Sequence, residues 1–251
     1  MTASINDIIS AISSQQFIRK VCPLPFSEEE VEKILITAID TQIRNRGGKM
    51  ILSQSLSDSI KNIAKWLAYM NKPSLFLCGN VGNGKTTIVK AIQNIYQLLD
   101  VRDWKNQKVG FSIVPARLIC NYWKTDYKNY RTLLDESMIA VDDLGTEPKE
   151  MLDYGNIGNP IIELFEYRYD KQLTTIVTSN LTSKQIREDY CERIADRFNE
   201  MMCVVPFTDT SYRGKNDTIE QSQPTKPQEK TQESQTMTYA EYKALIAKEK
   251  K

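Results

Sequence analysis

A chain of 251 residues with 41% hydrophobic and 26% charged residues is long enough for one large domain with appendages. Its net charge of +1 excludes a protein that coats nucleic acid through bulk basicity, so any nucleic-acid site must be a local patch. Histidine is absent, which excludes Ser–His nucleophilic catalysis, histidine acid–base chemistry and histidine-ligated metals.

The five cysteines, Cys22, Cys78, Cys120, Cys191 and Cys203, are scattered and odd in number, with no C-x-x-C pair. That argues for a reducing compartment and against a disulfide framework or zinc site. No basic-then-apolar leader and no apolar run of membrane-spanning length is seen, so the expectation is a soluble, cytoplasmic protein with no membrane partner.

In chain order, Ile5, Ile8, Ile9 and Ile12 recur at helical spacing behind Ser4, a candidate N-cap. Cys22-Pro23-Leu24-Pro25 ends that element. Ser27 and Glu30 have the spacing of a capping box, opening a second helix with Val31, Ile34, Leu35, Ala38 and Ile39 on one face. Gly47-Gly48 stops it, with Arg44 and Arg46 at its end. A third helix carries Ile60, Ile63, Ala64 and Leu67 and ends before Pro73. These stripes either pack on the domain that follows or, for the first helix, dock on a partner.

From residue 74 to 207 strands and helices alternate, which predicts a parallel sheet with helices on both faces. Strands are expected at 74–78, 109–114, 138–141, 174–179 and 203–207. Between the first strand and its helix lies Gly79-Asn80-Val81-Gly82-Asn83-Gly84-Lys85-Thr86, followed by Thr87, a G-x-x-x-x-G-K-[ST] phosphate loop in the strand–loop–helix context it needs. Its glycines let backbone N–H groups surround an anion, and the helix N-terminus adds partial positive charge. Lys85 can reach the β- and γ-phosphates of a nucleotide, and Thr86 can ligate Mg²⁺.

The third strand runs into Asp142-Asp143, the expected second half of a nucleotide site. Asp142 is the candidate metal ligand, and Asp143 the candidate to orient or deprotonate the attacking water. Asn180 ends the fourth strand, where it can reach the γ-phosphate or that water. Arg193, Arg197 and Arg213 follow as candidates to stabilise charge on the transferring phosphoryl group. Just after the second strand, Arg117, Lys124, Lys128 and Arg131 interleave with Tyr122, Trp123, Tyr127 and Tyr130, a mix of cations and stacking faces suited to single-stranded DNA. Residues 214–236 are rich in Gln, Thr, Ser, Lys, Glu and Pro and are expected to be a disordered linker. Residues 237–251 are expected to be a short helix or tail.

The set G-N-V-G-N-G-K-T, I-A-V-D-D-L-G, T-T-I-V-T-S-N, E-R-I-A-D-R-F and S-Y-R, in that order, resembles the AAA+ ATPases of the DnaC/IstB family, bacterial helicase loaders and transposition helpers. The resemblance covers about residues 50–213. It implies an α/β AAA+ P-loop NTPase domain with a five-stranded parallel sheet at 51–213, preceded by a helical region at 1–50. By the same resemblance Lys85 and Thr86 belong to Walker A, Asp142 and Asp143 to Walker B, and Asn180 to sensor 1. Arg197, with Arg193 as runner-up, matches an arginine finger acting across a homo-oligomer interface, and Arg213 matches sensor 2. The second Walker B acid is commonly Glu in AAA+ proteins; Asp143 is one methylene shorter, which suggests slow turnover. The implied function is an ATP- and Mg²⁺-dependent ATPase that loads a replicative helicase onto single-stranded DNA. A transposition helper working with a transposase is the near alternative. A small-molecule P-loop kinase is the alternative of another class.

Overall fold

The structure is a computed structural model that describes residues 4–13, 19–153, 156–209 and 237–238. In chain order the elements are α1 (Ile5–Ser13), α2 (Glu28–Arg44), β1 (Ile51–Leu52), α3 (Gln54–Tyr69), β2 (Ser74–Gly79), α4 (Lys85–Leu98), β3 (Phe111–Pro115), α5 (Ala116–Thr125), α6 (Tyr127–Asp135), β4 (Met138–Leu144), β5 (Met151–Asp153), β6 (Asn156–Gly158), α7 (Pro160–Asp170), β7 (Thr174–Ser179), α8 (Ser183–Tyr190), α9 (Glu192–Met201), β8 (Met202–Phe207) and β9 (Met237–Thr238).

Five strands form the central sheet in the order β3-β4-β7-β2-β8, all parallel. A parallel sheet covered on both faces needs strands that are apolar on both sides. The strands alternate accordingly. Leu75, Leu77, Met138, Ala140 and Ile176 enter one core with α2, α3 and α4. Phe76, Ile139, Val141 and Val177 enter a second core with α5, α6, α7 and α9.

The helix signals act as chemistry dictates. Ser27 and Glu30 form the reciprocal capping box of α2. Val31, Leu35, Ile36 and Ile39 are buried in the first core, so α2 packs on the sheet domain rather than standing apart. Helix α1 behaves differently. Ser4 and Asp7 exchange hydrogen bonds at its start, but Ile5, Ile8, Ile9 and Ile12 are 76%, 48%, 55% and 61% exposed.

The five sheet strands lie where the sequence places them, apart from small shifts of bounds. The second begins at Phe111, because Val109 bonds back to Val101 in the preceding turn. Two small pairings lie outside the pattern: the antiparallel β5–β6 hairpin, and an antiparallel pairing of Ile51 with Thr238 and Leu52 with Met237. The second puts a strand where the sequence suggests a helix or tail. The linker at 214–236 and the stretch 239–251 lie outside the described residues.

Buried between α6 and β7 is Arg168. Its guanidinium donates to Thr175 Oγ1 and to the carbonyls of Leu133, Leu134, Glu136 and Thr174. Burial disfavours its charge, and Glu136 and Asp135 oppose that effect. A lone arginine in a helix pattern reads as surface from sequence; here it satisfies carbonyls at the ends of α6 and its turn.

Candidate functional site

The phosphate loop connects β2 to α4 at the carboxyl edge of the sheet, where ligands of open α/β folds bind. Gly84 precedes the first turn of α4 and supplies no side-chain cap, so the first N–H groups of the helix face the loop. A cavity of about 570 Å³ opens there. Its floor is Val81, Gly82, Asn83, Gly84, Lys85, Thr86 and Thr87, and Asp142, Asp143 and Asn180 line it from β4 and β7. Residues far apart in sequence thus share one wall.

Lys85 Nζ lies 2.8 to 3.0 Å from four neutral oxygens, Gly79 O, Asn80 O, Asn83 Oδ1 and Asn180 Oδ1, which share its three N–H donors. Burial pulls its pKa below the ordinary lysine range, and the carboxylates of Asp143 and Asp142 partly restore it. Asn83 in turn donates to Phe207 O, pinning the loop to β8.

In a regular strand, adjacent side chains point to opposite faces, so Asp142 and Asp143 could not both face the cavity. The register solves this. Val141 pairs with Val177 but Leu144 pairs with Ser179, so β4 carries one extra residue in a bulge. Asp143 takes the left-handed conformation at φ 56°, its N–H donating to Thr178 Oγ1 at 2.9 Å. The Thr178 hydroxyl donates to Asp142 Oδ1 at 2.6 Å, and Thr86 Oγ1 donates to the same carboxylate at 2.9 Å. Thr178 therefore orders both acids, a role invisible in the sequence, where T-S-N matters for its asparagine.

Asp142 is only 9% exposed, and its hydrogen bonds come from neutral hydroxyls, with the Lys85 ammonium near it but not bonded to it. A buried carboxylate bonded only by neutral hydroxyls suits a directly bound cation. No cluster of three or more His, Cys, Asp or Glu side chains able to hold a metal occurs among the described residues. A cation held by Thr86 and Asp142 would therefore draw on phosphate oxygens and water, as Mg²⁺ does.

The rest of the lining comes from residues outside the motifs. Ile39 and Ile43 of α2, Ile51 and Leu56 make it apolar, and Arg46, Lys49 and Lys90 add positive charge. Helical periodicity marks Ile39 as core and Arg46 as a helix-end charge; only the packing of α2 on α4 brings them to the cavity.

Arg193 and Arg197 lie on α9, outside this cavity wall. Arg193 pairs with Glu166. Arg197 is 19% exposed, 3.7 Å from Glu166 and 3.6 Å from Asp170, and stacks on the Tyr169 ring at 4.6 Å. Its buried Nη1 has no hydrogen-bond partner among the described residues. Arg213 lies outside the described residues.

Among the candidate DNA contacts, Arg117, Lys124, Lys128, Arg131 and Tyr127 are exposed on α5 and α6. Tyr122 and Trp123 are half-buried against the second core, with Trp123 Nε1 donating to Glu163 Oε2. Tyr130 is buried outright, its hydroxyl donating to Pro160 O, so it offers no stacking face. It lies three and four residues before Leu133 and Leu134, on the face of α6 that enters the core.

No family model matches the chain, and no curated protein matches it in sequence. Solved structures do. The crystal structure of the DnaC helicase loader is similar at 20% identity and a TM-score of 0.50, covering 70% of this chain and 98% of that one. A candidate primosome component from Streptococcus pyogenes serotype M3 is similar at 14% identity and a TM-score of 0.50, with the same shares covered. The crystal structure of DnaI aligns at 19% identity and a TM-score of 0.47, over 64% of this chain and 85% of that one. The chain has the AAA+ P-loop fold. It shares that fold with the DnaC helicase loader. No helix among the described residues is long and apolar enough to cross a membrane.

Proposed function

We propose that this protein is an ATPase that delivers a replicative helicase to single-stranded DNA, with ATP binding driving self-assembly and hydrolysis resetting it. The observation that carries the reading is the convergence of Lys85, Thr86, Asp142, Asp143 and Asn180 on one cavity at the sheet edge. It occurs in a fold shared with the DnaC helicase loader. Lys85 holds the β- and γ-phosphates, Thr86 and Asp142 hold Mg²⁺, and Asp143 and Asn180 face the water that attacks the γ-phosphorus. When bound, Mg²⁺ neutralises charge on the phosphate oxygens.

Arg197, or Arg193, completes the site of a neighbouring copy, which fits a side chain that does not line its own cavity. Arg117, Lys124, Lys128 and Arg131 track a DNA backbone. The exposed isoleucine stripe of α1 supports a partner-docking role for the N-terminal region. The DNA-replication role is favoured over the transposition role by the likeness to the helicase loader.

The test is co-purification with ATP and Mg²⁺, followed by mass spectrometry. Recovery of a hexameric replicative helicase, lost when residues 1–13 are removed, supports the reading. Recovery of a transposase moves the protein to the helper branch. A monomer whose ATP turnover responds only to a small acceptor makes it a kinase.

A further inference from the structure

The end of α2 and the turn after it carry two arginines with different surroundings. Arg44 is ion-paired with Asp40 at 2.7 Å. Arg46 has no carboxylate partner among the described residues; its Nη1 donates to Thr87 Oγ1 at 3.2 Å, and both residues line the cavity. The turn that carries it is set by the backbone, with Arg46 N–H donating to Ile43 O and Gly48 N–H to the same carbonyl. Arg46 is therefore tied on one side to Ile43, in the apolar wall, and on the other to Thr87, in the first turn of α4.

The cavity carries four cations, Arg46, Lys49, Lys85 and Lys90, against two carboxylates, Asp142 and Asp143. Asp142 is engaged by the Thr86 and Thr178 hydroxyls, whereas Arg46 bonds the Thr87 hydroxyl and, through its backbone, Ile43. The lining thus carries two more cations than carboxylates, and that excess suits an anion. A guanidinium held by a single neutral hydroxyl keeps most of its donors for such a ligand.

We infer that Arg46 is a nucleotide-binding residue that contacts the sugar-proximal phosphate, with the base on the Ile39–Ile43 wall. The inference rests on the nucleotide reading above and adds to it a contact from outside the phosphate loop. Its chemistry has a specific consequence. The sugar-proximal phosphate is common to ATP and ADP, so Arg46 retains both equally and does not discriminate between them. Lys85, which donates to Asn180, favours the longer polyphosphate. Because Arg46 follows α2 directly, the contact also ties α2 to the occupant of the site.

The experiment is titration of the full chain with a fluorescent ATP analogue and the matching ADP analogue, for wild type, Arg46→Ala, Arg46→Lys and Lys85→Ala. Arg46 is exposed, and thermal melts confirm that each variant folds. The expected result is a loss of roughly tenfold in affinity for both nucleotides in Arg46→Ala, with partial recovery in Arg46→Lys. Unchanged affinity in Arg46→Ala, or a loss confined to ATP, overturns the inference. If Lys85→Ala also binds normally, it is the nucleotide reading itself that fails; if Lys85→Ala loses binding while Arg46→Ala does not, only the role of Arg46 falls.

Discussion

Glu147 accepts a hydrogen bond from the Tyr190 hydroxyl through one carboxylate oxygen and from the Gly145 backbone N–H through the other. One buried side chain thus holds two places that matter. Gly145 lies two residues after Asp143, in the turn that aims it. Tyr190 ends α8, and the next residue, Cys191, sits at φ 80° and ψ 161° at the start of α9. That backbone region is nearly reserved for glycine, so neighbouring contacts must hold it. Removing the carboxylate in Glu147→Ala leaves both donors unsatisfied. A loss of about 1–3 kcal/mol in folding stability is expected. Urea denaturation measures it, and Tyr190→Phe should cost less, because Gly145 keeps its acceptor. A double variant should lose less than the sum of the two single losses, as groups in one network do.

Two glycines of the phosphate loop should respond in opposite ways to alanine. Gly79 sits at φ 141°, and a Cβ there would lie 2.1 Å from Phe207 O, a backbone atom that cannot swing aside. Gly84 sits at φ 89° with nothing within 4 Å of its Cβ position. Gly79→Ala is expected to break the β2–β8 edge and fold poorly. Gly84→Ala is expected to fold, at a cost of about 1 kcal/mol for the left-handed backbone, and to lose nucleotide affinity. Thermal melts paired with nucleotide titration distinguish them; a well-folded Gly79→Ala would contradict the close approach.

The sequence makes some of this legible and hides the rest for physical reasons. The alternation of Leu75, Phe76 and Leu77 and the capping box of Ser27 and Glu30 are local signals, and they give the sheet strands and α2. The phosphate loop and the acids after β4 are legible because their chemistry needs fixed spacing. Thr178, Arg46 and Arg168 are not, because their roles arise from register, helix packing and burial. Tyr130 shows the same limit from the other side: one stripe of aromatics serves both the surface and the core, and only α6 packing on α7 decides which ring is available.

Stability should fall on the alkaline side. Burial raises the pKa of Tyr190, Tyr130 and Tyr96 above the ordinary tyrosine value of 10.0, and nearby acids add to the effect for Tyr190 and Tyr130. A raised pKa means the folded chain holds these protons longer than the unfolded chain. The stabilisation is fully present below pH 10.0 and is lost as pH rises above it towards the folded-state values. Melting temperatures followed by circular dichroism should be level with respect to these groups between pH 8 and about 9.5 and fall beyond. Tyrosine ionisation, followed by absorbance, should lag in the folded protein and complete only with unfolding.

If Arg197 acts across an interface, two inactive variants should repair each other. Lys85→Ala removes the phosphate contact of its own cavity but leaves its Arg197 available to a neighbour. Arg197→Ala keeps its cavity and lacks the finger. Each variant alone should show a large fall in ATP turnover, about 10³-fold for a finger of the kind known in other phosphoryl-transfer enzymes. Mixed in equal amounts, half-intact interfaces form in which a wild-type cavity meets a wild-type arginine, and turnover should rise well above either variant alone. In the structure Arg197 is held by Glu166 and Asp170 and stacked on Tyr169. Releasing it for a neighbour means breaking contacts of modest strength, since they are longer than hydrogen bonds. Weakening them further in Glu166→Gln should therefore raise turnover, whereas a purely structural Arg197 would lose stability in that variant without any rise in turnover. No recovery on mixing, with both single variants inactive, would place the role of Arg197 within its own chain.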